Sequence, residues 1–343
     1  MSTPQSLPIT MESKNDTRIN KICQDHTHLI ETLPKGNGWM VEHLYNYNGV
    51  WLNSYILKNF LLLNEYFKSQ PSDIFLASFM KSGTTWLKAL MFSTLNRDQY
   101  TFSNHHLLKN SPQSTFPYLD SECYPVTDFT NVRQPRLFHT HYPHRLLESF
   151  TVSCKIVYVC RDPKDVLISL WHFACKIRSK DLNPITLDEA FELFSQGVTD
   201  YGPFWDHVLS YWRASFGSPD MILFLKYEEL KKQPVMELRK LAAFMGKPFT
   251  VDEEEKGVVQ KIVDLCSFDN LSGLEVNKSG VDILGKLVEV EKKDFFRKGE
   301  IGDWKNYLDE KMAECIDRIT EEKLRDSGLI LGEFESIGTS RVD

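Results

Sequence analysis

The stretch ASFMKSGTTWLKAL, residues 77–90, places a lysine, a serine, a glycine and two threonines between an apolar run and an amphipathic one. A loop that only had to reverse the chain would not need so many hydrogen-bond donors. A strand ending at Phe79, then Lys81-Ser82-Gly83-Thr84-Thr85, then a helix aims backbone N–H groups and the positive end of a helix at an anion. Gly83 lets the backbone come close, Lys81 adds full charge, and the hydroxyls of Ser82, Thr84 and Thr85 add donors. A phosphate is the natural occupant. The spacing departs from G-x-x-x-x-G-K-[ST], because no glycine stands five residues before a Gly-Lys pair, and this weakens an ordinary nucleoside triphosphatase reading.

Outward from this loop, short apolar runs rich in β-branched and aromatic residues occur at 74–79, 137–142, 156–160 and 221–227, with helical patterns between them. Residues 86–95 set Trp86, Leu87, Leu90, Met91 and Leu95 on one helical face, and Asp162-Pro163 supplies an N-cap and a first-turn proline for a later helix. Strands alternating with helices predict an α/β fold: a parallel sheet flanked by helices, with ligand loops at the strands' carboxyl ends. Residues 277–294 break the rhythm, with glycines bracketing a short apolar run, and read as an excursion or lid, or as a plain surface loop.

The chain of 343 residues, 42% hydrophobic, can bury a sizeable core, and no internal repeat or linker divides it. The expected organisation is a polar mobile tail over 1–21 and one domain over 22–343. A formal net charge of −7 argues against a general nucleic-acid or anionic-membrane binder, so any anion site is local. Seven cysteines without a C-x-x-C pair suit free thiols, and the absence of a signal-like or membrane-spanning stretch predicts a cytoplasmic protein.

KIVYVCRDPKDVLISLWHF, residues 155–173, is a second strand-to-helix junction, with Arg161 at the strand's end and Ser169 about two turns into the helix. FFRKGEIGDWKNYL, residues 295–308, carries a third basic cluster. Two anion junctions suggest a ligand with phosphates at both ends. In this order KSGTTW, RDPKDVLISLWHF and RKGEIGDWK resemble the three signature regions of the soluble sulfotransferases that use 3′-phosphoadenosine 5′-phosphosulfate (PAPS). The resemblance runs from about Leu33 to Leu331 and is greatest to plant members in LPKGNGW, YGPFWDH, YEELKK and CSFDNLSGLEVNK.

The resemblance implies the sulfotransferase variant of the P-loop NTPase-like fold, with PAPS as donor, PAP as product and no metal. Residues 81–85 would hold the 5′-phosphosulfate and Trp86 would stack on adenine. Arg161, Ser169, Arg297, Lys298 and Gly299 match positions that bind the 3′-phosphate, and Tyr227, Ser267 and Phe268 match the remaining nucleotide contacts. The pattern T-H-x-P falls on Thr140-His141-Tyr142-Pro143 and makes His141 the expected base, since an imidazole can take a hydroxyl proton at neutral pH. Lys81 would meet charge on the leaving oxygen of an in-line transfer, and Ser169 would hold Lys81 back until the donor binds.

Residue types alone leave a metal site at His139, His141 and His144 open, but no nearby carboxylate or cysteine completes a set at ligand spacing. Met80 replaces the family's usual proline, His139 stands where animal relatives have a lysine, and their K-x-x-x-T-V-x-x-x-E dimer motif is absent, leaving monomer and homodimer both open. The resemblance implies an apolar acceptor pocket comparable to Tyr47, Trp51, Tyr55, Tyr142, Trp171, His172 and Phe173, suited to a small apolar or aromatic molecule carrying a hydroxyl. The rival functions are a kinase-like phosphotransferase and a non-catalytic PAP-binding protein.

Overall fold

The structure, a computed structural model, describes residues 25–121, 129, 134–284 and 288–332. The polar segment expected as a tail, residues 1–21, lies outside them. A three-stranded antiparallel sheet opens the described chain: β1 (Lys35–Asn37), β2 (His43–Tyr47) and β3 (Val50–Leu52). Helix α1 (Ser54–Tyr66) leads into the central sheet of β4 (Ile74–Ser78), β5 (Leu137–Thr140), β6 (Lys155–Cys160) and β7 (Ile222–Lys226). Its order is β5-β4-β6-β7 and every pairing is parallel.

Strands buried on both faces are apolar over nearly their whole length, and here polar residues enter only toward the ends, at Ser78, His139, Thr140, Lys155 and Lys226. Along β4, Phe75 and Ala77 join one apolar cluster while Ile74 and Leu76 join another; along β6, Ile156 and Tyr158 face the first and Val157 and Val159 the second. The first cluster is completed by α1, α3 (Pro163–Ile177) and α4 (Phe204–Gly217), the second by α2 (Thr84–Leu95), α5 (Pro234–Phe244) and α6 (Val258–Leu265). The helices are numbered in chain order among those the site uses.

Because the strands are parallel, Ser78, Thr140, Cys160 and Lys226 all end at one edge, and the segments that follow them converge there. β5 stops two residues short of the apolar run because the His141 N–H is captured by the Asp120 carboxylate at 2.7 Å. Helix α2 begins at Thr84, two residues before its apolar face, with Gly83 at φ 112° in the N-cap position and no side chain capping it. Helix α3, in contrast, is capped by Asp162, whose carboxylate accepts the Lys164 N–H at 2.8 Å, with Pro163 in the first turn. Of these two helices, the first offers its amides to a ligand. The excursion over 277–294 is a short helix (Glu275–Lys278), an antiparallel hairpin of β8 (Val281–Leu284) and β9 (Val288–Glu291), and a 3-10 turn (Lys292–Phe295) that delivers Phe295, Phe296 and Arg297 to the site edge.

At the opposite edge, Arg136 Nε and Nη2 donate to Asp73 Oδ1 and Oδ2 at 2.7 and 2.6 Å, and both side chains are buried. This pair ties the amino ends of β4 and β5, where the Ile74 N–H also donates to the Arg136 carbonyl. Removing one partner strands a buried charge, so Arg136→Ala is expected to cost about 3–5 kcal/mol of stability. Urea unfolding checks this, and nucleotide affinity of the folded protein should stay unchanged.

Candidate active site

The converging loops enclose a cavity of about 310 Å³. Lys81, on the first loop, adopts φ 65°, in the left-handed region, which swings its side chain across the opening of α2. Its ammonium lies 4.1 Å from the centre of the Phe173 ring on α3. Burial pushes the Lys81 ammonium down to about 7, and the neighbouring Arg297 and Arg161 charges push in the same direction. Gly83 is required by space as well as by φ, since a Cβ there would come within 2.8 Å of the Tyr227 ring.

Tyr227 joins all three basic segments. Its ring stacks under the Arg161 guanidinium at 4.6 Å, meets Trp86 edge-on at 5.7 Å, and its hydroxyl donates to the Gly299 carbonyl at 3.0 Å. A Cβ on Gly299 would in turn sit 2.5 Å from the Phe268 ring. Ser267 caps the short helix Phe268–Gly273 and lines the cavity beside Phe268. Two carboxylates set the cations. Asp165 accepts from Arg161 Nη2 at 3.1 Å and from the Gly302 and Trp304 N–H groups at 2.8 and 3.1 Å, pinning the third segment to the second. Asp303 accepts from Arg297 and, at 2.6 Å, from Lys298. Burial alone would raise the Asp303 carboxyl, but hydrogen bonds from Lys298, Arg297 and Asn306 hold it well below the usual range.

His141 faces Lys81 across the cavity. Its Nδ1 lies 2.8 Å from the Ser78 carbonyl, a partner that can only accept, so Nδ1 carries the hydrogen and Nε2 keeps a free lone pair. Tyr118 and Tyr201 flank the ring edge-on at 5.6 and 5.5 Å. Burial pushes His141 down to about 4 against the pull of the Ser78 carbonyl, with Lys88 and Lys81 adding to the depression. The imidazole is therefore neutral at pH 7. Asp120 positions it from behind, accepting the His141 N–H and the Thr140 hydroxyl while fully buried.

The structure brings Lys81, residues 83–86, His141, Arg161, Ser169, Tyr227, Ser267, Phe268 and 297–299 into this one cavity, while Ser82 is buried behind the loop and does not line it. Of the expected acceptor residues, Phe173 lines it. Tyr142 is enclosed in the core, with its hydroxyl donating to the Ile56 carbonyl at 2.9 Å. Trp171 donates to the Ile185 carbonyl, and Tyr47 packs on Phe60 at 5.8 Å. Trp51 packs beside Gly36 and Tyr55 donates to the Ser121 carbonyl, both on the segment before β4, and His172 packs tilted against Trp171 and edge-on to Tyr307. Met80, His139 and Tyr118 line the cavity instead, His139 stacked on Tyr118 with ring centres 4.3 Å apart. His144 turns away to Tyr211 and Glu148. No group of three or more His, Cys, Asp or Glu side chains among the described residues is arranged for a metal ion.

Several polar atoms around the cavity are buried without a partner: Ser82 Oγ, Trp86 Nε1, Arg161 Nε and Arg297 Nε. Buried donors are normally satisfied, so this wall fits an anion rich in acceptor oxygens. Residues 71–328 match the family model described as the sulfotransferase domain. The chain belongs to the sulfotransferase family. This sulfotransferase is 44% identical to cytosolic sulfotransferase 12 of Arabidopsis thaliana over 96% of its own length and 99% of that protein's. It resembles the crystal structure of a putative steroid sulphotransferase of Arabidopsis thaliana with TM-score 0.71 and 37% identity, covering 95% of this chain and all of that one. A mouse sulfotransferase crystallised with PAP is similar with TM-score 0.63 and 27% identity, covering 83% of this chain and 95% of that one. These relationships set the kinase-like reading aside. The sulfotransferase has no helix among its described residues long and apolar enough to cross a membrane, and its similarity to enzymes named cytosolic agrees with the expected cytoplasmic location.

Sequence reading missed the carboxylates that orient the cations and the base. Asp303 and Asp165 lie inside the quoted basic motifs, where an acid set among cations could have flagged them as anchors. Asp120 had no local signal, because only the fold places it beneath His141.

An anion bound beside Lys81 raises its depressed pKa, so nucleotide binding takes up a proton. The sign follows: the Lys81 contribution to PAP affinity is fully present below about pH 7, where the free enzyme keeps the ammonium, and is lost as pH rises from there through the raised pKa of the complex. Calorimetry in buffers of different ionisation enthalpy should show proton uptake at pH 8, and Lys81→Met should abolish it.

Proposed function

We propose that this sulfotransferase moves the sulfuryl group of PAPS to a hydroxyl of a small apolar or aromatic acceptor by in-line transfer, with His141 as general base. One observation carries the reading: a neutral imidazole with its free Nε2 and a desolvated lysine line the same cavity, beside unpartnered donors suited to a bis-phosphorylated nucleotide.

PAPS, when bound, supplies an electrophilic sulfur and a 5′-phosphate oxygen as leaving group. Lys81, the α2 amides and the hydroxyls of Ser82, Thr84 and Thr85 hold the 5′ end, and Lys81 opposes the negative charge that develops on the leaving oxygen. Arg161, Ser169, Arg297, Lys298 and Gly299 grip the 3′-phosphate, while Trp86, Tyr227, Ser267 and Phe268 enclose the base and sugar. His141 accepts the hydroxyl proton at Nε2, and the Ser78 carbonyl stabilises the imidazolium through Nδ1. Ser169 offers the Lys81 ammonium an oxygen partner outside the reacting line. Phe173, Phe295, Met80 and Tyr118 supply the apolar side on which an acceptor ring would rest. The similarity to a protein named a putative steroid sulphotransferase supports such an acceptor.

Incubation with radiolabelled PAPS and a panel of small hydroxyl compounds should label an O-sulfate product. His141→Ala should lower kcat by roughly 10²–10⁴-fold while leaving PAP affinity intact, the range for a general base. Retained turnover would refute the assignment of the base. Arg161→Ala should remove charge-assisted contacts worth roughly 1.5–3 kcal/mol each. The loss should fall on nucleotides bearing a 3′-phosphate, and an equal loss for adenosine 5′-phosphosulfate would contradict the role given to Arg161.

A further inference from the structure

Helix α2 carries a second lysine that the mechanism above leaves unused. Lys88 is 1% exposed and, among the described residues, has no carboxylate within ion-pair distance. Its Nζ donates to Gln113 Oε1 at 2.8 Å, and Gln113 Nε2 donates to Thr85 Oγ1 at 2.7 Å. Burying an ammonium with a single neutral partner is costly, and a methionine of the same length would cost less. Burial depresses Lys88 to about 7, with only Asp282 of the β8 strand pulling the other way.

The chemistry of the three groups leaves one arrangement of hydrogens. An ammonium only donates, so Gln113 must turn its carbonyl oxygen to Lys88 and its NH₂ to Thr85. Thr85 Oγ1 then accepts, and its own hydrogen is left for the cavity that Thr85 and Gln113 both line. Without Lys88 the amide is free to flip, and the threonine hydroxyl to turn towards the glutamine oxygen instead of the anion.

We propose that Lys88 and Gln113 are positioning residues that lock the Thr85 hydroxyl as a donor to the 5′-phosphate end of the nucleotide. The relay runs in one direction, from the buried ammonium through the amide to the hydroxyl and on to the bound anion, whose charge offsets that of Lys88. Such a donor is set before the ligand arrives, which is the arrangement that yields electrostatic stabilisation without reorganisation. This rests on the reading of residues 81–85 as the phosphate loop.

The test is PAP titration of the full-length protein and of Lys88→Met, Gln113→Glu, Thr85→Val and the Lys88→Met/Thr85→Val double variant, with thermal unfolding of each. Lys88→Met should be at least as stable as the parent and bind PAP about tenfold more weakly. Gln113→Glu pairs more strongly with Lys88, so its unfolding temperature should not fall, yet it gives Thr85 only acceptors and should weaken PAP by tenfold or more. In the Thr85→Val background, Lys88→Met should add less than a twofold loss. Equal losses in both backgrounds would show that Lys88 acts only as a distant charge and would overturn the relay, as would a folded Lys88→Met that binds like the parent. A parent protein that fails to bind PAP would overturn the nucleotide reading itself and this proposal with it.

Discussion

The crowding of Lys81, Arg161 and Arg297 around one desolvated cavity is the constraint on which the rest of the site depends. Like charges at low dielectric repel, and a chain with a net charge of −7 has no general need to gather them. The parallel sheet makes the gathering possible, because it ends four strands at one edge and sends the segments of Lys81 and Arg161 out beside each other, where the β8–β9 excursion brings Arg297. The fold then tethers two of the three through buried carboxylates, Asp165 on Arg161 and Asp303 on Arg297, while Lys81 rests on the face of an aromatic ring with Asp294 as a more distant opposing charge.

Backbone shape and side-chain chemistry agree around the same point. The first loop can approach an anion because Gly83 presents no Cβ to Tyr227, and the helix behind it keeps its amides uncapped. Tyr227 in turn carries the Arg161 guanidinium on its ring and holds Gly299 by its hydroxyl, so one side chain coordinates segments more than a hundred residues apart. On the opposite wall, His141 is fixed by two backbone-directed bonds, one through Ser78 and one through Asp120, which orient the ring before any substrate is present.

The sheet, its strands and the ligand edge were legible from apolar runs and from the strand-to-helix junctions, because strands buried on both faces leave an unbroken apolar signature. Boundaries shifted where a side chain outcompeted the strand ladder, as Asp120 does at His141. The basic clusters were legible too, since cations at strand ends have few structural reasons to recur. The supporting acids were not, because Asp120 and His141 stand 21 positions apart in sequence and their pairing follows only from tertiary structure. The acceptor wall was least legible: an aromatic residue such as Tyr142 reads the same whether its hydroxyl meets a substrate or, as here, a helix carbonyl in the core.

Phe173 lends the face of its ring to the Lys81 ammonium and packs against Phe295 at 6.1 Å. One side chain is thus shared between the apolar lining and the electrostatics of departure. Diversification of such an enzyme cannot treat the two as separable traits: any exchange that reshapes this ring to admit a bulkier guest also resets the cation beside it. Evolutionary freedom lies with lining positions that touch neither that lysine nor the imidazole opposite, where pleiotropy is weakest.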